Sequence, residues 1–268
     1  MSRLAARFAE LKANSKTALI PYVMAADPSP EITLPLMHAM VKAGADIIEL
    51  GAPFSDPMAD GPVIQAAAER SLAHNTSMHD VFSLVSEFRQ TDDTTPIIVM
   101  GYLNPIEVMG YESFAQRASE AGVDGVLTVD LPPEEALDVI PLFRKYGLDP
   151  TFLISPTTDE LRIKKIVDQA SGWLYYVAVK GITGSAELDT NAVAERVETI
   201  KGITSLPIGV GFGIKDGVTA ARVAQIADAV VVGSALVNRI ADNRDRPDEL
   251  PQIAADFVAE LRQAIDQV

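Results

Sequence analysis

The 268-residue chain, 48% hydrophobic and 22% charged, can bury a large core without covalent staples. It has no cysteine, which excludes disulfides and thiolate metal sites and fits a reducing, cytoplasmic setting. A formal charge of −15 repels phosphate backbones and acidic lipid, so neither nucleic acid nor a membrane is an expected partner.

The first predicted element is a helix. In MSRLAARFAELKANSK, Leu4, Phe8 and Leu11 recur at helical intervals with charges between them. The stretch lacks the continuous apolar run of a signal peptide and reads as an amphipathic capping helix. No later run approaches the roughly 20 residues needed to cross a bilayer.

Eight apolar, β-branched segments follow: TALIPYVMA (17–25), ADIIELG (45–51), PIIVMGY (96–102), GVLTVDL (125–131), DPTFLIS (149–155), WLYYVAV (173–179), PIGVGFG (207–213) and AVVVGSA (229–235). Near-continuous apolar runs are what strands covered on both faces show. Helical patterns such as ITLPLMHAMVKAG, PEEALDVIPLFRKYG and TDELRIKKIVDQASG lie between them, several ending in Gly. Strict alternation predicts an α/β fold, a single (β/α)₈ TIM barrel with an extra N-terminal helix, occupying 1–268 as one domain. A doubly wound open sheet is the alternative. Against it, PYVMAADPSP replaces any glycine-rich fingerprint after the first strand, and polar residues gather at the C-terminal ends of strands. The widest gap, between the second and third strands, holds DPMADGP and room for more than one helix.

The chemistry begins in the second segment. Strand alternation puts Ile47, Glu49 and Gly51 on one face and Ile48 and Leu50 on the other. With the isoleucine–leucine face against helices, Glu49 points into the barrel. There apolar surroundings would raise its pKa and suit it to general acid–base work. A structural, hydrogen-bonded glutamate is the other reading. Asp56 and Asp60 lie in the following loop, where Asp also serves as turn former or helix cap. That alternative is stronger for Asp56, in SDP, than for Asp60, which Gly61 and Pro62 follow.

Three glycine-bearing stretches end the last segments: GITGS (181–185), GVGFGI (209–214) and VGSAL (232–236). Together they suggest a cradle in which main-chain N–H groups and the Ser234 hydroxyl hold the phosphate of a small substrate. Neutral dipoles would bind that anion despite the chain's negative charge. Lys180 could form a Schiff base with a carbonyl substrate. By alternation, however, it shares a face with Tyr176 and not with Tyr175. His38, His74 and His79 have no metal-ligand spacing, so no metal site is expected.

The run ELGAPFSDPMADGPVIQ, followed in order by GITG, GFGI and VGSA, resembles the tryptophan synthase α-subunit family over essentially the whole chain. The resemblance implies a (β/α)₈ lyase of tryptophan biosynthesis that cleaves indole-3-glycerol phosphate to indole and glyceraldehyde 3-phosphate, without a cofactor. It carries the family's catalytic Glu and Asp onto Glu49 and Asp60, and its orienting Tyr onto Tyr175. Thr183 matches the Thr that meets the catalytic Asp on loop closure. Gly184, Gly213, Gly233 and Ser234 match phosphate ligands, and Tyr22 the aromatic residue of the indole pocket. The implied partner is a pyridoxal-phosphate β subunit, in an α₂β₂ complex docked through the loop around Pro53 to Asp60, with a possible role for Asp56. A stand-alone indole-releasing lyase is a close alternative, and a Schiff-base aldolase on Lys180 a more distant one. Departures are Ala178-Val179-Lys180, where many members read Ser-Arg before the loop, Ala26 where many have Gly, and Ala52 where Val is frequent.

Overall fold

The computed structural model describes residues 2–178, 190–211 and 213–268. Lys180, Thr183 and Gly184 lie outside the described residues. The strands are β1 (Ala18–Met24), β2 (Ile48–Gly51), β3 (Ile97–Gly101), β4 (Gly125–Thr128), β5 (Asp149–Thr151), β6 (Leu153–Ile154), β7 (Leu174–Val177), β8 (Ile208–Gly211) and β9 (Ala229–Val232). They form one parallel sheet in the order β5-β4-β3-β2-β1-β9-β8-β7-β6, wrapped by helices into a nearly closed TIM barrel.

The ninth strand comes from the fifth predicted segment, 149–155, which is broken at Phe152. Its first part pairs with β4 and its second with β7, so both ends of the sheet belong to one segment. Pro150 has no N–H to donate, and past Thr151 the segment changes partners. The Phe152 carbonyl accepts from the Tyr175 N–H at 3.1 Å across this turnover.

Alternation divides the side chains as expected. Leu19, Val23, Ile48, Leu50, Ile97 and Val99 pack outward in the large core beneath the helices. Ala18, Ile20, Ile47, Ile98, Leu127, Trp173 and Val231 fill the interior, together with Leu4, Phe8 and Leu11. Those last three belong to the helix Arg3–Ala13, capped by Ser2, whose side chain accepts from the Ala5 N–H. A methyl group on Gly125, the first residue of β4, would come within 2.9 Å of Leu4. The predicted capping helix therefore plugs the N-terminal end of the barrel and leaves the C-terminal mouth open to chemistry.

Two helices, Pro62–Leu72 and Met78–Arg89, occupy the wide gap between β2 and β3, as its length suggested. The helix predicted from PEEALDVIPLFRKYG is shorter than expected, spanning Ile140–Lys145. Pro132, Pro133 and Pro141 explain this. Each lacks an N–H, and Pro141 would break the ladder of a helix begun earlier, so residues 133–139 form turns instead.

The N-terminal face is held by a repeated hydrogen-bond pair. The Asp46 carboxylate accepts from the Leu19 N–H at 2.9 Å, Asp124 from Ile97 at 2.8 Å and Asp228 from Ile208 at 2.9 Å. In each case the same Asp donates its own N–H back to the carbonyl of that residue. Asp124 is the most deeply set, 4% exposed and paired with Arg3 at 2.9 Å and Arg89 at 2.7 Å. Removing a buried, hydrogen-bonded ion-pair partner costs about 3 kcal/mol or more. Asp124→Ala is expected to lose about that much unfolding free energy in urea titration, and Asp124→Asn less. An Ala variant within about 0.5 kcal/mol of the parent would show that this clasp contributes nothing.

Candidate active site

Glu49 sits in β2 between Tyr22 of β1 and Ile98 of β3. It is 1% exposed, and among the described residues its Oε1 has no hydrogen-bond partner. Burial, with the charge of Asp60 second, pushes its pKa up to about 8. At neutral pH this is therefore a protonated acid inside an apolar cylinder. Tyr175, on the inward face of β7, is raised by burial and then by the charge of Glu49, which keeps its hydroxyl neutral. Tyr22 is raised by burial first and then by Asp60 and Glu49.

Glycines make room for these rings. A Cβ on Gly211 would lie 2.2 Å from the Tyr175 hydroxyl, and one on Gly51 would lie 2.2 Å from that of Tyr22. A Cβ on Gly209 would lie 2.3 Å from the Trp173 ring. In the GVGFGI stretch, Gly209 and Gly211 thus belong to β8 and admit aromatic side chains to the interior. Gly213 alone of the three glycines lies beyond the strand, in the left-handed region at φ +75°.

Asp60 is near the end of the loop after β2. It is not the helix cap, because that position is held by Gly61. Its N–H donates to the Pro57 carbonyl at 3.1 Å, and its carbonyl accepts from Gln65 Nε2 at 2.8 Å. Burial raises its carboxyl to about 6, opposed by a hydrogen bond from the Tyr102 hydroxyl. Asp56, by contrast, is exposed, its carboxylate accepting from the Ser55 hydroxyl at 2.6 Å.

The helix after this loop is anchored at the end of β1. Arg70 grips the buried Asp27 with two bonds of 2.6 and 2.8 Å, and the Ser71 hydroxyl donates to the Ala25 carbonyl. Between them Ala26 adopts φ +58°, the conformation for which glycine is better suited, and its N–H donates to Thr33.

Gly233 caps the helix Ser234–Asp242 and lies against Tyr22, a Cβ there falling 3.8 Å from that of Tyr22. The first turn of a helix leaves main-chain N–H groups free for an anion. That terminus faces the same mouth as Tyr22. The histidines are elsewhere: His38 stacks on Phe88 at 4.7 Å, and His74 and His79 are exposed. Among the described residues no cluster of His, Asp and Glu could hold a metal ion, and no helix is long and apolar enough to cross a membrane.

Tyr102 was missed from sequence. It closes the third predicted strand segment, where it reads as one more strand aromatic. Its position at the C-terminal end of a barrel strand was the available signal.

With this geometry in place, comparison with known proteins is specific. The family model described as tryptophan synthase alpha chain matches residues 8–266. The tryptophan synthase alpha chain of Thioalkalivibrio sulfidiphilus is 59% identical over 266 residues, covering 99% of this chain and all of that one. That of Marinobacter nauticus is 56% identical over 268 residues. The crystal structure of tryptophan synthase subunit alpha from Legionella pneumophila superposes with a TM-score of 0.94 at 48% identity, with 100% of each chain covered. Full-length identity at this level, on a barrel of the same architecture, places the chain in the tryptophan synthase alpha chain family.

Proposed function

We propose that this chain cleaves indole-3-glycerol phosphate to indole and glyceraldehyde 3-phosphate as the α subunit of a tryptophan synthase, with Glu49 and Asp60 as its catalytic pair. Membership of the family makes it a lyase of tryptophan synthesis and favours the subunit role over a stand-alone enzyme. The observation that carries the residue assignment is the Glu49 carboxyl: buried, unpartnered at Oε1 among the described residues, protonated at neutral pH, and facing Asp60 and Tyr175.

The reaction is a retro-aldol cleavage. Glu49 gives its proton to the indole ring carbon that bears the side chain, leaving positive charge at the ring nitrogen. The resulting carboxylate then takes the proton of the adjacent glycerol hydroxyl. As the C–C bond breaks, its electron pair returns to the ring and the hydroxyl carbon becomes an aldehyde. Glu49 ends protonated, as it began. The Asp60 carboxylate faces the ring N–H and stabilises the transient positive charge, and Tyr175 orients Glu49. Tyr22 borders the indole, while Gly213, Gly233 and Ser234 hold the phosphate. Thr183 and Gly184 join them on the sequence match alone. Residues 1–268 act as one domain, and the steps balance on acid and base without a cofactor.

The partner is the β subunit of the family's complex. Docking through the loop around Pro53 to Asp60 is supported by large apolar side chains left exposed in the segments after β2, β3 and β4. Met58 is 87% exposed, Val108 81% and Leu137 68%. Exposed side chains of this size mark an interaction surface when they share one face.

The decisive experiment adds indole-3-glycerol phosphate to the purified chain, with and without a β subunit, and measures released indole. Indole and glyceraldehyde 3-phosphate should appear in equal amounts. Their absence under both conditions would sink the assignment. Borohydride added during turnover should leave no mass adduct, which separates this mechanism from Schiff-base chemistry on Lys180.

A further inference from the structure

The carboxylate that faces the substrate ring rides on a loop, yet electrostatic stabilisation requires it to be set in advance. We propose that Tyr102 is a positioning residue that sets Asp60 before substrate arrives, its hydroxyl holding the Ala59 main chain one residue before the acid. The proposal rests on the reading that Asp60 acts on the substrate.

The loop from Ala52 to Gly61 contains no helix or strand. It begins on the barrel, where the Ala52 N–H donates to the Met100 carbonyl at 2.8 Å. Near its far end its own bonds are local, Met58 N–H to Asp56 and Asp60 N–H to Pro57. Among the described residues two side chains reach it there from outside: Gln65, which bonds the Asp60 carbonyl, and Tyr102. The Ala59 N–H donates to the Tyr102 oxygen at 3.0 Å, so the hydroxyl proton is free to go to the Asp60 carboxyl.

Tyr102 is itself firmly held. Its side chain is buried, 3% exposed, and its ring packs on Phe54 of the same loop at 5.2 Å. Its main chain follows β3 directly and caps the helix Leu103–Met109. The next N–H, of Leu103, donates to the Asp130 carboxylate at 2.8 Å. The hydroxyl is thus fixed to the barrel wall, while the acid it meets is on a loop.

Electrostatics agree with the geometry. Among the described residues, the groups that interact with Asp60 by charge are Glu49, Tyr22 and Tyr102. All three are neutral when protonated, and none supplies a positive charge. Among the described residues, the Tyr102 hydroxyl is what opposes burial and favours the ionised acid.

Tyr102→Phe keeps the ring and removes the hydroxyl. A hydrogen bond to a charged group is worth roughly ten- to a hundredfold in an equilibrium. The variant should therefore lose about that much kcat with little change in KM. Its acid limb of kcat/KM should move to higher pH, because the Asp60 carboxyl has lost the donor that favoured ionisation. A purely structural tyrosine would lower the unfolding midpoint and leave kcat and the acid limb where they were, and that result overturns the proposal. Asp60→Asn is the control: if it retains full activity, the reading of Asp60 itself has failed. A dead Asp60→Asn beside an unaltered Tyr102→Phe removes Tyr102 alone.

Discussion

Glu49→Gln is expected to fold normally and to release indole at a rate lower by roughly 10²- to 10⁴-fold, the usual contribution of a positioned general acid–base. The substitution keeps the size of the side chain and its place between Tyr22 and Ile98, and removes the exchangeable proton. With Glu49 raised to about 8 and Asp60 to about 6, the active form carries a protonated Glu49 and an ionised Asp60. The kcat/KM profile should therefore rise through about pH 6 and fall through about pH 8. A flat profile across that window, or near-parental turnover by the glutamine variant, would remove Glu49 from the mechanism.

The same residue has a second, opposite effect. A carboxyl whose folded pKa lies above its unfolded value stabilises the fold less as pH rises, because the unfolded chain can ionise it and the folded one resists. For Glu49 that loss runs from about 4.5 to about 8. Glutamine is neutral in both states and escapes it. The variant should thus match the parent in acid and exceed it in unfolding midpoint above neutral pH. An active-site acid that costs stability is what a stability–activity trade-off would look like here.

Asp60→Asn is expected to lose roughly 10²- to 10³-fold in rate, the scale observed when one preorganised electrostatic group is removed. The amide keeps the shape of the acid, and the Gln65 bond to the main-chain carbonyl is untouched. What disappears is the negative charge proposed to face the nitrogen of the indole ring. Phosphate recognition lies across the mouth, at Gly213, Gly233 and Ser234 in the proposed arrangement, and should persist. Inhibition by glycerol phosphate, compared in parent and variant, checks this. Weakened inhibition would make Asp60 a structural residue and not a catalytic one.

Much of this was legible in the residues. Alternation around Glu49 sorted inward from outward side chains because a strand has a period of two. Leu4, Phe8 and Leu11 announced a helix because their spacing makes an apolar stripe. Other features were hidden. The break at Phe152 depends on which neighbours the fifth segment meets on either side, and no local pattern carries that. The short helix at Ile140 could have been anticipated from Pro141, but the apolar spacing outweighed it. Gly209 and Gly211 lie in a stretch that read as part of a phosphate cradle, but a glycine's reason for being small lies in what approaches it, here Trp173 and Tyr175.

What the residues determined unaided was local and periodic: the alternation of strand and helix, the inward face of Glu49, and the loop acid that follows it. These follow from backbone geometry, which depends on neighbours in the chain. Only the tertiary structure decided that among the described residues Glu49 has an oxygen with no partner, that Gly61 and not Asp60 caps the helix, and that Tyr102, just past β3, meets the Ala59 main chain beside the acid. Burial and hydrogen bonding are relations between segments far apart in sequence, and they exist only once the barrel has brought those segments together.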